Sequence, residues 1–270
     1  PDSMSFMREW TALVESGSGE RGIFNRQAAI KQAAKNGRRD PNREWGTNPC
    51  SEIILAGPRT DPKTGNPIAG TGGQFCNLSE VVVRATDTIE DLERKVRLAT
   101  ILGTIQATYT KFPYLRKVWE KNTAEERLLG VSLTGIMDNP LMTTANKGLA
   151  ETLEHLKQVA VDTNKEWADR LGIEQSAAIT CVKPSGTVSQ LVDSASGIHA
   201  RHSPYYIRTV RGDNKDPLTQ FMIDQGIPNE PEAFKPDQTT VFSFPVKSPE
   251  GAVCTANMTA IEQLEMWLMY

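Results

Sequence analysis

Hydrophobic positions along the chain alternate between helical and strand rhythms. Phe6, Trp10 and Leu13/Val14 sit a helical turn apart within Met4–Ser16, and Gly17-Ser18-Gly19 predicts the stop. A brief apolar run at Gly22–Asn25 reads as a strand end. Gln27 to Asn36 reads as a few helical turns ended by Asn36-Gly37, and residues 38–44 as a charged, solvated loop. Ile53-Ile54-Leu55 predicts a buried segment. Residues 57–73, rich in Pro and Gly, predict a surface excursion. Cys76–Val83 is β-branched and alternates loosely, so it reads as a strand. Asp87/Thr88 caps a helix to about Thr110 that carries Leu92, Val96 and Ala99 on one face. Gly130–Gly135 predicts a short strand. Gly148–Leu171 is the clearest helix, with Gly172 just beyond its end and His155 beside its apolar stripe as a packing histidine. Ala177–Val182 and Thr240–Val246 predict further strands, Val188–Leu191 a short helix or turn, and Thr259 opens a last helix. Strands alternating with helices imply an α/β fold with parallel strands buried on both sides.

Composition narrows the function classes. With 270 residues, 39% hydrophobic, 23% charged and a net charge of −3, the chain has the balance of a soluble protein with a full core. No basic surface points to nucleic acid, and no apolar run approaches the ~20 residues of a membrane helix. The four cysteines (50, 76, 181, 254) form no CxxC pair and there are only three histidines, which argues against a zinc site. Without a secretory signal, the thiols read as reduced or redox-active in a cytoplasmic setting. Both ends read as cuts within a longer polypeptide: Pro1-Asp2-Ser3-Met4 leads straight into a helix and Ile261–Tyr270 stops inside one.

The chemistry concentrates in Asn48-Pro49-Cys50-Ser51-Glu52. An amide, a thiol and a carboxylate fall at i, i+2 and i+4, which in an extended segment puts them on one face in steps of ~6–7 Å. Pro49 turns Asn48 away from helix, so an extended or turning loop is expected. Taken alone, the pentapeptide also fits a buried strand cysteine with two solvated neighbours. Further on, Pro184-Ser185-Gly186-Thr187-Val188-Ser189 follows a predicted strand. Small and hydroxyl residues at such a turn can present backbone N–H groups to a phosphate, although the Walker spacing is absent and Lys183 precedes the glycine.

These blocks, together with Phe75-Cys76-Asn77-Leu78-Ser79-Glu80-Val81, Ser196-Gly197-Ile198-His199 and Tyr205-Tyr206-Ile207-Arg208, resemble the catalytic subunit of ribonucleotide reductase in their order. The later blocks are most like the adenosylcobalamin-dependent class. The resemblance runs from Gly22 to the Thr259–Tyr270 segment. It implies that residues 1–270 are part of a ten-stranded α/β barrel, truncated at both ends, with the Cys50 loop as a central finger. It implies Cys50 as the thiyl radical that takes the ribose 3′-hydrogen, Glu52 as the acceptor of the 3′-hydroxyl proton, Asn48 as a sugar ligand and Cys76 as one of two reducing thiols. The second thiol lies upstream of this chain in the family. Pro184, Ser185, Gly186, Thr187, Val188 and Ser189 would hold the substrate phosphates.

The implied cofactor is adenosylcobalamin (coenzyme B12), and no other metal is called for. The implied partners are a ribonucleoside di- or triphosphate, a thioredoxin- or glutaredoxin-type reductant, and the rest of the same polypeptide. Two alternatives stand beside this reading: a large subunit that takes its radical from a separate small subunit, and a non-catalytic nucleotide-binding fragment. Tyr205-Tyr206 belongs to a block common in the cobalamin class and reads as packing rather than as a radical-transfer pair. Cys181 and Cys254 match no family block and read as structural. Ser51 departs from the family's usual glycine or small apolar residue.

Overall fold

The computed structural model describes residues 2–18, 22–35 and 37–270; Gly19 and Asn36, two of the predicted helix-stop residues, lie outside them. In chain order the elements are α1 (Ser3–Ser16), α2 (Arg26–Ala34), β1 (Arg43–Thr47), β2 (Ile54–Arg59), β3 (Asn77–Val82), α3 (Ile89–Gln106), α4 (Lys117–Glu126), β4 (Leu129–Thr134), α5 (Lys147–Leu171), α6 (Thr187–Leu191), β5 (Tyr205–Asp213), α7 (Pro217–Asp224), β6 (Asn229–Pro231), β7 (Thr239–Lys247) and α8 (Ala260–Met269). They form two compact units. One comprises residues 1–75 and 111–126, the other 76–110 and 127–270.

The first unit is built on the antiparallel hairpin β1–β2, in register Thr47↔Ile54. Trp45 and Ala56 bury one face of it against Ala29 and Ala33 of α2. Asn25 caps α2 through the Ala28 amide, so Gly22–Asn25 is a cap approach and not the expected strand end. The expected solvated loop at 38–44 is also corrected. Arg39 and Arg43 are only 6% and 4% exposed, and Arg43 opens β1. Arg39 pairs with Glu126 of α4 at 2.9 Å, donates to the Ile54 carbonyl and stacks over Trp45. Arg43 donates to Asn122 Oδ1. Burial, with the neighbouring Arg59 charge, pulls its guanidinium below the ordinary arginine range.

Residues 57–59 of the expected surface excursion belong to β2; residues 60–73 leave it and return along it. The Ile68 N–H donates to Arg59 O and the Gly73 N–H to Ala56 O. Gly73 has φ +112°, and a Cβ there would come within 2.6 Å of the Trp119 ring, so only glycine fits this return. Gln74 closes the arrangement by accepting the Ala56 N–H and donating to Glu126.

The second unit centres on β3 and β4, parallel in register Asn77↔Leu129 to Val82↔Thr134. Helices α3 and α5 cover one face, with Val81, Val83, Leu92, Val96, Leu129, Val131, Leu156 and Ala160 in the core. Thr88 and Asp91 form a capping box at α3. Asn146 caps α5, and Gly172 ends it in the left-handed conformation. The strand expected at Ala177–Val182 is reduced to one parallel bridge, Val131↔Thr180, with backbone bonds on either side of it. His155 bonds Glu93 of α3 on the surface.

The expected parallel pairing holds for β3 and β4 but not for the sheet that follows them. Strand β5 was not read from the sequence, and it pairs antiparallel with β7, which also pairs antiparallel with β6. The nine residues of β5 are mostly exposed, so they show no clean inside–outside alternation. Tyr205 is itself exposed beneath Lys247, whereas Tyr206 packs edge-on to His202. The fold is α/β, and the described residues contain three small sheets rather than a ten-stranded barrel.

The Arg39–Glu126 pair predicts a stability test. Arg39→Met leaves a carboxylate buried without its cation and should destabilise the protein by about 3–5 kcal/mol. Arg39→Met with Glu126→Met should recover much of that loss. Urea unfolding of the single and double variants measures the difference.

Candidate functional site

The pentapeptide Asn48–Glu52 is the tip of the β1–β2 hairpin. Its geometry differs from the extended segment considered above: the Ser51 N–H donates to the Asn48 carbonyl at 3.0 Å, closing a turn with Pro49 at its second position. Proline's fixed φ suits that position, which is the local reason the chain reverses here. Ser51 then takes φ +65°, the left-handed region where a side chain is strained.

Each of the three chemical groups has a distinct place on the tip. Asn48 Oδ1 accepts the Ile53 N–H at 3.1 Å, which leaves its Nδ2 as the donor that can face a ligand. The Cys50 side chain is exposed at the apex. Glu52 is half-buried, with both carboxylate oxygens screened from solvent. The turn therefore carries the three groups together but points them into different environments. A thiol is open to a reactant, while a carboxylate close to it in sequence is shielded from water.

The remaining predicted residues lie in the second unit. Cys76 is half-buried immediately before β3. Pro184–Ser189 follows the extended run that bridges to β4. In the register of these parallel segments, Cys76 lies toward their N-terminal end and the turn toward their C-terminal end. Thr187 begins the five-residue α6. Gly186 is its N-cap residue and supplies no side-chain cap, so no side chain of the turn covers the first amides. A Cβ on Gly186 would meet only open space, so this glycine leaves room rather than permitting a special φ. Ser185 is 4% exposed and its Oγ makes no hydrogen bond among the described residues. Ser189 is fully buried and its hydroxyl donates to Gly186 O at 2.7 Å, bracing the turn from within. Cys254 is buried and Cys181 half-buried, neither in a disulfide.

Sequence reasoning missed the residues behind this turn. Arg201 forms a two-pronged pair with Asp138, Nε to Oδ1 and Nη2 to Oδ2, both at 2.8 Å, and both side chains are 3% exposed. Burial opposes the Arg201 charge. The Asp138 bonds, with those of Tyr206 and Asp193, more than offset it and hold the guanidinium above the ordinary arginine range. No local pattern signals a pair 63 positions apart. Among the described residues no group of three or more His, Cys, Asp or Glu could hold a metal ion, and no helix is long and apolar enough to cross a membrane.

No family model matches the chain. It is similar to the adenosylcobalamin-dependent ribonucleoside-triphosphate reductase of Lactobacillus gasseri, 31% identical over 232 residues covering 75% of this chain and 28% of that protein. The enzymes of the same name from Euglena gracilis and Lactobacillus leichmannii are 29% and 28% identical, covering 90% and 75% of this chain and 31% and 28% of their own lengths. Among solved structures, a B12-dependent (class II) ribonucleotide reductase matches with a TM-score of 0.67 and 24% identity, over 84% of this chain and 33% of that one; at this identity the likeness is one of fold. The chain thus spans about a third or less of the length of the curated relatives it matches.

The strained Ser51 yields a prediction. Ser51→Gly should stabilise the hairpin by roughly 0.5 kcal/mol, the relief of a left-handed side chain less glycine's greater chain entropy. Ser51→Val should destabilise it. Equilibrium unfolding in urea distinguishes the two.

Proposed function

Starting from this kinship with adenosylcobalamin-dependent ribonucleotide reductases, we propose that residues 1–270 are the part of such an enzyme that carries its radical cysteine, one reducing thiol and its substrate phosphate loop. In this reading the chain contributes to a ten-stranded α/β barrel, with the β1–β2 hairpin as its central finger. The observation that carries the proposal is the hairpin tip: Cys50 exposed, Glu52 shielded, and Asn48 locked by the Ile53 amide on a single turn.

The chemistry follows from those placements. Hydroxide is a poor leaving group from C2′, and a radical at C3′ makes its loss as water easy. The Cys50 sulfur radical takes the 3′-hydrogen. Glu52, withdrawn from water, accepts the 3′-hydroxyl proton, as a general base must from within hydrogen-bond reach. Asn48 Nδ2 donates to the sugar. The 2′-hydroxyl leaves as water with a proton from the reducing pair. Cys76 and a second thiol outside this chain supply two electrons and two protons in all and end as a disulfide. Glu52 then gives its proton back to the 3′ oxygen, and Cys50 returns the hydrogen to C3′. A thioredoxin- or glutaredoxin-type protein reopens the disulfide for the next turnover.

When bound, adenosylcobalamin supplies the radical equivalent that Cys50 must receive. The exposed tip Pro49–Ser51 suits that exchange, because the S–H bond has to be reached from outside the hairpin. These are the residues of this chain that would face the cofactor. The relatives' stated substrate class, ribonucleoside triphosphates, is the one we adopt, held through the uncapped amides of the Pro184–Ser189 turn. We place the enzyme in the cytoplasm.

Two experiments in the full-length reductase carrying this segment test the roles. Cys50→Ser should abolish deoxyribonucleotide formation while leaving substrate binding intact, because an alcohol O–H is too strong to give the radical. Any measurable dCTP from this variant would sink the assignment. Cys76→Ser should block reduction yet keep release of tritium from 3′-labelled substrate. If exchange vanishes in both variants, Cys76 is more than a reductant.

A further inference from the structure

We propose that Arg201, paired with Asp138, is a positioning residue for the Pro184–Ser189 turn and acts on it through the 193–197 segment. The inference rests on the reading of that turn as the phosphate site. Three sets of contacts carry it, all within the second unit.

The first set fixes the start of the 193–197 segment to the ion pair. Asp138 Oδ2 accepts the Ala195 N–H at 2.8 Å as well as the Arg201 fork. Arg201 donates to the Asp193 carboxylate at 3.2 Å and to its carbonyl at 3.3 Å, and Arg84 donates to the same carbonyl at 2.9 Å. Asp193 has φ +46°, a strained backbone for a non-glycine residue that persists only where surrounding contacts hold it.

The second set ties the same segment to both ends of the turn. The Ser194 N–H donates to Ser189 O at 2.8 Å, and the Ser196 hydroxyl donates to Ser185 O. Gly197, at φ +52°, lies so close that a Cβ would sit 3.0 Å from Lys183 O and 3.4 Å from Ser185 N. The third set anchors the far side of the segment to β4 and the residue after it. The Gly197 N–H donates to Thr134 Oγ1 at 2.8 Å, and the Gly135 N–H donates to Ala195 O at 2.9 Å.

Peptide planarity turns these contacts into a statement about the anion site. The carbonyl of Ser185 and the N–H of Gly186 belong to one planar trans unit and point opposite ways. Holding Ser185 O on Ser196 therefore aims the Gly186 N–H away from the brace. Among the described residues, no Arg201 hydrogen bond goes to the turn itself, so its effect on a phosphate is through orientation of amide dipoles and not through contact.

The test is steady-state kinetics on the full-length reductase carrying this segment. Arg201→Lys keeps the charge and loses the fork. It should raise KM for the ribonucleotide about tenfold with kcat within about twofold. Ser196→Ala should raise KM in the same sense, and the double variant should be no worse than Arg201→Lys alone, because both act on one path. Gly186→Val serves as the control, since its side chain fills the open space. If Gly186→Val leaves KM unchanged, the phosphate reading falls and this proposal with it. If Gly186→Val raises KM while Arg201→Lys and Ser196→Ala do not, the phosphate reading stands and the positioning role is overturned. A fall in kcat or in folded yield at constant KM would mark Arg201 as structural only. Should Arg201→Lys fail to fold, Ser196→Ala decides alone: a raised KM supports the brace and an unchanged KM refutes it.

Discussion

A buried arginine held by a carboxylate recurs behind each of the two turns proposed to carry this protein's chemistry. Arg39 and Glu126 stand behind the hairpin that ends in Cys50, and Arg201 and Asp138 stand behind the segment that braces Pro184–Ser189. Such a pair gives little net stability, because removing two ions from water costs about as much as their attraction returns. Its value is directional. A guanidinium offers several N–H groups in a rigid plane, so it can hold a carboxylate and backbone carbonyls in one arrangement. Arg39 does this with Glu126 and Ile54 O, and Arg201 with Asp138 and Asp193 O. Turns without a ladder of their own need that kind of constraint.

The hairpin shows why the constraint matters chemically. A six-residue tip between two short strands would ordinarily be mobile, and a reactive thiol on it would sample many positions. Here the Ile53 amide, the Asn48 carbonyl and side chain, and the network through Arg39, Gln74 and Glu126 remove that freedom. The left-handed strain at Ser51 is tolerated because the strands on either side are pinned. Radical chemistry at a sulfur gains from such rigidity, since a misplaced radical attacks whatever is nearest.

The second unit uses a different device. Its parallel strands are stabilised by an apolar core, and the candidate site residues lie in the segments at the strand ends. Placement of ligands beyond the carboxyl ends of parallel strands is a general property of open α/β sheets, where successive loops diverge and leave a crevice. The turn at 184–189 has that location, which supports the phosphate role proposed for its uncapped amides. Cys76, at the other end, immediately precedes β3 instead.

Much of this was legible in the chain itself. Capping residues Thr88 and Thr259 and the terminator Gly172 mark helices α3, α8 and α5, because a cap is a contact between residues a few positions apart. The Asn48–Glu52 and Pro184–Ser189 blocks likewise offered their candidate chemistry locally, and Pro49 declared that the first would not be helical. What the tertiary structure alone decided is which charges are buried and which segments pair. Arg39 and Arg43 sit in a stretch whose composition looks solvated, and only contacts with Asn122 and Glu126, some eighty positions away, withdraw them from water. Asp138 and Arg201 carry no mutual signal in sequence for the same reason. Strand β5 escaped because its side chains are mostly exposed, so pairing with β7, rather than hydrophobic alternation, makes it a strand. Local periodicity records whether a position faces water or core. It does not record the partner that neutralises a charge or completes a ladder.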